Sequence, residues 1–320
     1  MSTVPIPILQ ALNLPTSPTD STLKSSSVSS GFTNTSTLHA KIPNSNGPHT
    51  ERKYFIKTSK DGTAAQEMFL GEFESLNAIA RAVPGFCPRA LAWGPLDEKN
   101  AYFLATEFLD LSGGMSQGSG DETDPASLAY RLGKLHSTPA PVDPQTGRRR
   151  YGFPVPTFCG DTRQANRFYD SWAEFYANER LLSILASSER RNGRDAALRD
   201  LVEKTADIVV PRLLGDEHLG YDSRGEREGI RPVVVHGDLW SGNVDRGRIV
   251  GNNSEKGGGE ELVGDLVYDP SACYAHSEFE LGIMRMFGGF GARFFELYHR
   301  VVPRTEPVEE YDDRVRLYEL

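Results

Sequence analysis

The sequence predicts an α+β protein of two lobes, a small β-rich lobe followed by a larger, mainly helical one. Three observations carry that expectation. As far as Leu109 the chain holds short β-prone runs around one strong helical stripe. A Gly/Ser-rich, acidic tract over 110–124 then breaks the composition more sharply than any other stretch. Beyond it apolar stripes at helical spacing dominate, interrupted by the β-branched run Val233-Val234-Val235. The boundaries follow as an N-terminal arm over 1–25, a small lobe over 26–109 and a large lobe over 110–320.

At 320 residues the chain can bury roughly 75% of its unfolded surface, enough for a large core. A net charge of −9 argues against nucleic acid or an anionic membrane as partner, since both demand a basic surface. Cys87, Cys159 and Cys273 are few and widely spaced, which suggests neither a disulfide framework nor a metal cluster. No apolar run approaches the ~18 residues of a membrane span. The first 37 residues are rich in Ser and Thr but hold no Arg, so a transit peptide is disfavoured and the cytoplasm is the expected compartment.

In chain order, Pro5 to Leu14 reads as a short helix and Thr16 to Thr22 as a linker. Ser26 to Ile42 reads as strand, turn, strand around Ser29-Ser30-Gly31-Phe32-Thr33-Asn34. A turn of small residues can lay backbone N–H groups over phosphates, which makes Gly31, Thr33 and Asn34 candidates; an ordinary hairpin is the alternative. Pro43 to Arg52 reads as a polar loop, and Lys53 to Thr58 as the next strand. The following helix carries Phe69, Phe73, Leu76, Ile79, Ala80 and Val83 on one stripe. Glu72 lies on that stripe while Glu67 and Glu74 do not. It is either the partner of Lys57 or a glutamate at the stripe's solvated edge. Two strands, Ala90–Trp93 and Ala101–Leu109, flank a turn at Asp97 to Asn100, and the backbone of Glu107, Phe108 and Leu109 is placed to act as a hinge against an adenine.

In the large lobe, Asp124-Pro125 opens a helix with Leu128, Leu132 and Leu135 on one face, closing near His136, which reads as structural. Pro139 to Pro156 is a loop. The aromatic stripe Phe168, Tyr169, Trp172, Phe175 and Tyr176 places a helix in Asp161 to Leu185. A second amphipathic helix over Leu198 to Leu214 presents Leu198, Leu201, Val202, Ile208, Val209 and Leu213. Gly251 to Glu261 reads as an exposed hairpin tip. Glu278 to Val302 is helical with a break at Gly288, Gly289 and Gly291, and Tyr311 to Leu320 opens one more helix.

The chemistry concentrates in His236-Gly237-Asp238-Leu239-Trp240-Ser241-Gly242-Asn243. In phosphoryl-transfer catalytic loops an Asp accepts the proton of the attacking hydroxyl and an Asn five residues on holds magnesium. Asp269, ending the apolar run Leu266-Val267-Tyr268, supplies a second acid, and Lys57, ending Tyr54-Phe55-Ile56, supplies the cation that phosphates require. A hydrolase with Ser241 as nucleophile and His236 as base is the competing assignment. It lacks a G-x-S-x-G elbow and leaves Asn243, Asp269 and Lys57 without roles.

The run from His236 to Asn243, Tyr268-Asp269-Pro270-Ser271, Glu278 to Leu281 and Met286-Phe287-Gly288-Gly289-Phe290 together resemble the fructosamine/ketosamine 3-kinase family, over about Ser26 to Leu320. That family is related to aminoglycoside and choline phosphotransferases and has a two-lobed, protein-kinase-like fold. The resemblance implies ATP- and Mg2+-dependent phosphorylation of O3 in protein-bound ribulosamine or fructosamine, after which the unstable phosphate eliminates and frees the amine, a protein-repair reaction. It implies Asp238 as base, Asn243 and Asp269 as magnesium ligands, Lys57 on the α/β-phosphates and Glu72 fixing Lys57. Trp240 would be a platform for the sugar or a packing residue, with His236, His276 and Glu278 on the substrate side. Glycated proteins or free ketoamines would be the partners, and the chain would be monomeric.

The sequence departs from the family pattern at three places. Ser29 to Asn34 replaces Gly-Gly-x-Ile-Asn, with Phe32 where some members carry a redox-active cysteine, so disulfide-linked dimers are not expected. Ala275-His276-Ser277-Glu278 replaces Gly-His/Asp-Arg-Glu beside the expected sugar site. One further helical segment usually follows the Leu317-Tyr318-Glu319-Leu320 end, so the large lobe reads as truncated. Two rivals stay open: a kinase of an amino-sugar or amino alcohol, and a catalytically silent ATP-binding scaffold.

Overall fold

The computed structural model describes residues 3–17, 19–25, 33–44, 47–113, 123–220, 229–250 and 263–320. A seven-stranded sheet runs in the order β1-β2-β3-β5-β9-β10, with β4 also paired to β5. Its first strands are β1 (Ser21–Ser25), β2 (Asn34–Asn44) and β3 (Gly47–Ser59), all antiparallel. Of the stretch 43–52, expected as a polar loop, residues 43–44 and 47–52 are strand: Lys41 pairs with Glu51 and Asn44 with Gly47. The ladder is made by backbone groups, so a ribbon at the sheet's outer end needs no apolar alternation to form. For the same reason β1 begins inside the segment that reads as a linker.

Strand periodicity sorts the two faces of this sheet. Leu38 and Ala40 of β2, Tyr54 and Ile56 of β3, and Phe103 and Ala105 of β5 (Tyr102–Leu111) point to one side, where Ile8 and Leu9 of α1 (Ile6–Ala11) complete a small core. The expected N-terminal arm is thus built into the lobe from residue 6 onward. Lys57, one residue past Ile56 and paired with Leu104, faces the other side, against α2 (Thr63–Ala82). There Phe69, Leu76 and Ile79 of α2 join Leu104 in the main core.

β4 (Ala90–Pro95) and β3 flank the first half of β5. Its second half, from Phe108 to Leu111, pairs with β9 (Val244–Val250), which in turn pairs with β10 (Gly264–Val267). The sheet therefore does not stop at Leu109. It is handed across to a hairpin that follows the His236 loop, and Gly247 is required at the crossing because a Cβ there would lie 2.5 Å from the Asp110 carbonyl. The predicted hairpin tip at 251–261 lies outside the described residues, as do Gly31 and Phe32 and residues 114–122 of the acidic tract.

α3 (Leu128–Ser137) starts later than Asp124-Pro125, because Ser127 caps it, its Oγ accepting from the Tyr130 N–H. After the hairpin β6 (Thr157–Cys159) and β7 (Thr162–Gln164), a helix runs through α4 (Trp172–Phe175), a π segment (Tyr176–Leu182) and α5 (Ser183–Asn192). Trp172, Phe175 and Tyr176 are buried as expected, whereas Tyr169 belongs to a bridge with Tyr151 ahead of the helix. A second composite helix joins α6 (Ala196–Lys204), a π segment (Thr205–Val209) and α7 (Val210–Leu214). Here the expected apolar face is partly overturned: Leu201 and Ile208 are each 63% exposed, and Leu198 and Val209 are exposed too, while Ala206, Val210 and Leu214 face the core. A π turn departs from the 3.6-residue period on which the sequence stripe was drawn.

β8 (Val233–Val235) pairs with β11 (Cys273–Ala275), and α8 (Phe279–Phe287), α9 (Ala292–Val301) and α10 (Tyr311–Tyr318) close the lobe. Short 3-10 turns form at Ser241–Asn243 and Val308–Glu310. α10 is core, with Tyr311, Arg314, Val315, Leu317 and Tyr318 buried. It locks two residues assigned by sequence to the substrate. The Tyr318 hydroxyl accepts from Trp172 Nε1 at 2.8 Å and meets His276 Nδ1 at 2.9 Å, while His276 Nε2 lies 2.8 Å from Thr305 Oγ1. Glu278 accepts from Arg314 Nε at 2.8 Å and from the Thr305 N–H at 2.8 Å. Both side chains are buried with protein partners, so neither is on a substrate-facing surface.

Burial holds the His276 pKa down at about 4, against 6.5 for an ordinary imidazole. Between those values the unfolded chain binds a proton that the folded chain refuses, so stability falls as pH drops through this window, by at most about 3 kcal/mol. His276→Gln should lower the melting temperature at pH 7 but show a smaller further drop between pH 7 and pH 5 than the parent. Equal drops in thermal scans of the two proteins would place the acid sensitivity elsewhere.

Candidate active site

Lys57 is buried at the end of β3, and its ammonium bridges the two lobes. Nζ donates to Glu72 Oε1 at 2.7 Å and to Asp269 Oδ1 at 2.6 Å. Burial works against its charge, but the Asp269 and Glu72 carboxylates outweigh it and raise the pKa. The Asp269 side chain is 50% exposed, and only its Oδ1 meets Lys57. Its backbone is left-handed, with φ +57°, a conformation that Asp tolerates better than most residues.

The β9–β10 hairpin explains how Asn243 reaches the same place. Val244 pairs with Val267, so Asn243 and Tyr268 stand side by side, and the Tyr268 N–H donates to the Asn243 carbonyl at 3.2 Å. Asn243 Nδ2 donates to the Asp238 carbonyl at 2.8 Å and to Asp238 Oδ2 at 3.3 Å. With its NH2 so turned, the amide oxygen is left as an acceptor.

Asp238 follows the buried strand β8 through a turn that needs glycine: at Gly237, with φ +78°, a Cβ would stand 2.1 Å from the Ser271 carbonyl. His236 organises this turn and does not face a substrate. Its Nε2–H donates to the Tyr268 carbonyl at 3.0 Å, and Nδ1 accepts the Asp238 N–H at 3.3 Å, which uses both nitrogens of a neutral ring whose pKa burial lowers. The Asp238 carboxyl is pushed up to about 7, chiefly by burial and then by the negative charge of Glu280, with the Asn243 amide opposing.

Glu280 is a residue the sequence reasoning missed. Fully buried on α8, its carboxylate accepts the backbone N–H of His236 through one oxygen and that of Gly237 at 3.0 Å through the other. His136 Nε2 lies 3.7 Å behind it. An acid flanked by Phe279, Leu281 and Met284 on a helix was the available signal, since such a position demands a buried partner.

Other sequence candidates are placed as follows. Asn34, exposed, is one residue from Thr35, which pairs with Lys57, and buried Thr33 is two residues from it, just ahead of β2. The Glu107 N–H is donated to the Arg89 carbonyl at 3.0 Å, and its carboxylate accepts from Arg89 Nε at 2.9 Å. Phe108 and Leu109 pair with Val250 and Ile249, so this stretch is strand and not an open hinge. Trp240 is 40% exposed; its ring lies across Gly242 and 6.0 Å from that of Phe287. Ser241 has no nucleophile's setting: His236 has both ring nitrogens engaged elsewhere.

This arrangement of lysine, paired acids and a loop of Asp and Asn is the geometry of phosphoryl transfer. A family model described as fructosamine kinase matches residues 14–320. The chain belongs to the fructosamine kinase family. A ketosamine-3-kinase of Mus musculus is 30% identical over 278 residues, covering 84% of this chain and 80% of the relative. A chloroplastic protein-ribulosamine 3-kinase of Oryza sativa subsp. japonica is 29% identical over 265 residues, covering 83% and 65%. The fold is shared with a crystal structure from Haemophilus somnus 129PT, provisionally named a fructosamine-3-kinase, at TM-score 0.65 and 18% identity, covering 98% of this chain and 86% of that one. As a fructosamine kinase family member the chain is an ATP-dependent phosphotransferase.

In this kinase Glu280→Gln tests the buried carboxylate. An amide has one acceptor oxygen, so its NH2 must face one of the two loop N–H groups and leave that donor unpaired. The expected cost is about 2 kcal/mol, read as a lower urea midpoint with unchanged slope. A midpoint equal to the parent's would remove Glu280 from this role.

Proposed function

We propose that this kinase phosphorylates O3 of ribulosamine or fructosamine, on glycated proteins or as free ketoamines, using ATP and a magnesium ion, and so leads to deglycation. The observation that carries the reading is the Lys57 ammonium held at 2.6 Å from Asp269, with the Asp238–Asn243 pair beside that acid. The names of the mouse and rice relatives support a ketosamine acceptor. We place the reaction in the cytoplasm, in a monomer. Three free thiols agree with a reducing compartment, and among the described residues no helix is long and apolar enough to cross a membrane.

The donors fit magnesium. Asn243 turns its NH2 to Asp238, which leaves its amide oxygen as the acceptor, and the half-exposed Asp269 side chain meets Lys57 through Oδ1 and has Oδ2 to offer. Such hard oxygen donors, few in number, suit an ion that retains waters and phosphate oxygens as its other ligands. When bound, magnesium neutralises charge on the phosphate oxygens. Lys57 holds the α/β-phosphates, with Glu72 fixing its direction. Thr33 and Asn34 lie at the strand end beside it. Asp238, half-buried and poised near neutrality, accepts the O3 proton as that oxygen forms its bond to the γ-phosphorus and the bond to the ADP oxygen breaks. Trp240 offers an aromatic face two residues away. The sugar 3-phosphate then eliminates and the amine is released.

The test is a mass-spectrometric screen for phosphate gained on ribated and glucated lysine peptides, with aminoglycosides as controls. Transfer to the ketoamines is expected, and Asp238→Asn should lower turnover at least ~10²-fold, the usual scale for a lost general base. Transfer to aminoglycosides alone would reassign the acceptor. Thermal stabilisation by nucleotide with transfer to none of them would make the chain a silent binder.

A further inference from the structure

Beside Asp238 the surface turns apolar, and the phosphoryl-transfer machinery does not account for it. Met286 is 53% and Phe287 60% exposed at the last turn of α8, and Trp240 is 40% exposed against Phe287. Trp240 and Phe287 lie against each other and on the loop. The Trp240 ring is seated on Gly242, where a Cβ would stand 2.1 Å from it. The turn after Phe287 is held by Gly288 and Gly289, both at positive φ, and Gly289 packs so tightly on Ser241 that a Cβ would stand 2.5 Å from the serine's own. The helix end is therefore pinned to the loop that carries Asp238. Arg285, the cation of that last turn, is turned away: it pairs with Asp312 at 3.3 Å and lies over the rings of Phe295 and Tyr311.

We propose that Trp240, Phe287 and Met286 form a subsite for the amine-borne part of the ketoamine, and that it selects a glycated lysine within a peptide, flanked by apolar or aromatic residues, over a glycated free amino acid. This rests on the ketosamine reading above. In a 1-amino-2-ketose the amine nitrogen is about 5 Å from O3, counting bonds of about 1.5 Å. With O3 at Asp238, the nitrogen's substituent leaves in reach of the Trp240 ring. A lysine side chain then lays its methylene stem on the indole and brings the neighbouring residue to Phe287 and Met286. A free α-amino acid brings a carboxylate to the same apolar rim, where Arg285 is engaged elsewhere, and loses hydration without a partner. The patch is continuous with the catalytic loop, unlike the exposed Leu201–Ile208 face of the α6–α7 helix, which nothing in the structure ties to a ligand.

Three ribulosyl adducts test the subsite: of glycine, of Nα-acetyl-lysine amide, and of the lysine in an acetylated Phe-Lys-Phe amide. Initial rates of ADP release are measured for the parent, Phe287→Ser, Met286→Ser and Leu201→Ser, the last as a remote apolar control. In the parent, kcat/KM for the tripeptide adduct should exceed that for the glycine adduct at least ~10-fold, mainly through KM, the scale of one apolar contact. Phe287→Ser should bring that ratio to about 2, and Leu201→Ser should leave it at the parent's value. A parent that treats the three adducts alike, or a ratio equal in Phe287→Ser and parent, overturns the subsite while the ketosamine assignment stands. A parent that phosphorylates none of the adducts overturns both.

Discussion

One buried cation sets the terms for the whole molecule. Lys57 and Asp269 are 212 residues apart in sequence and 2.6 Å apart in space, and between them the chain must complete one lobe and most of the other. Charges of this kind are expensive to bury unless paired, and an ion pair contributes less by stabilising than it would cost if broken. Two acids share the one ammonium, so the site carries excess negative charge of its own. That imbalance is what incoming cationic charge would relieve, while Glu72 keeps the ammonium aligned.

The second constraint is how Asp238 is held. Asp238 lies on a turn with little regular structure of its own, and its position comes from buried groups around it. Glu280 takes two backbone N–H groups, His236 uses both nitrogens to tie the turn to Tyr268, and Asn243 fastens the far end. Each is a buried polar group satisfied by the loop, so loss of any one exposes an unpaired donor or acceptor. The same Glu280 charge that positions the turn also raises the Asp238 pKa. Position and basicity therefore cannot be tuned separately at this site. The β5 hand-over to β9 adds the mechanical link, because the strand that carries the small lobe's ladder also carries the hairpin next to Asn243.

What could be read in advance follows from the range of the physics. Lys57, Glu72, Asp238, Asn243 and Asp269 announce themselves by spacing or by position on a stripe, and the structure brings them together. Glu280 was hidden because the run Glu278-Phe279-Glu280 offers two acids and the sequence does not say which one faces the loop; a helix turns them about 200° apart. Glu278 went to Arg314 and His276 to Tyr318, contacts with α10 that lie 36 and 42 residues away. The polar residues 43–44 and 47–52 became strand because backbone pairing overrode side-chain pattern. The apolar stripe over 198–214 was misjudged for the converse reason: the pattern was helical, but π turns shifted its phase.

The apolar rim beside the loop makes sense against this background. Large apolar side chains left in water cost solubility and invite association, so Trp240 and Phe287, exposed and packed together on the loop that carries Asp238, call for a reason. Packing does not supply it, since Phe287 and Met286 keep more than half of their surface in solvent. The neighbouring glycines set the arrangement. Gly242 and Gly289 let backbone approach where any side chain would push the loop and helix apart, which keeps the indole and the α8 terminus in one fixed relation to Asp238. A preorganised surface loses little freedom on binding, so even a modest contact there converts into discrimination.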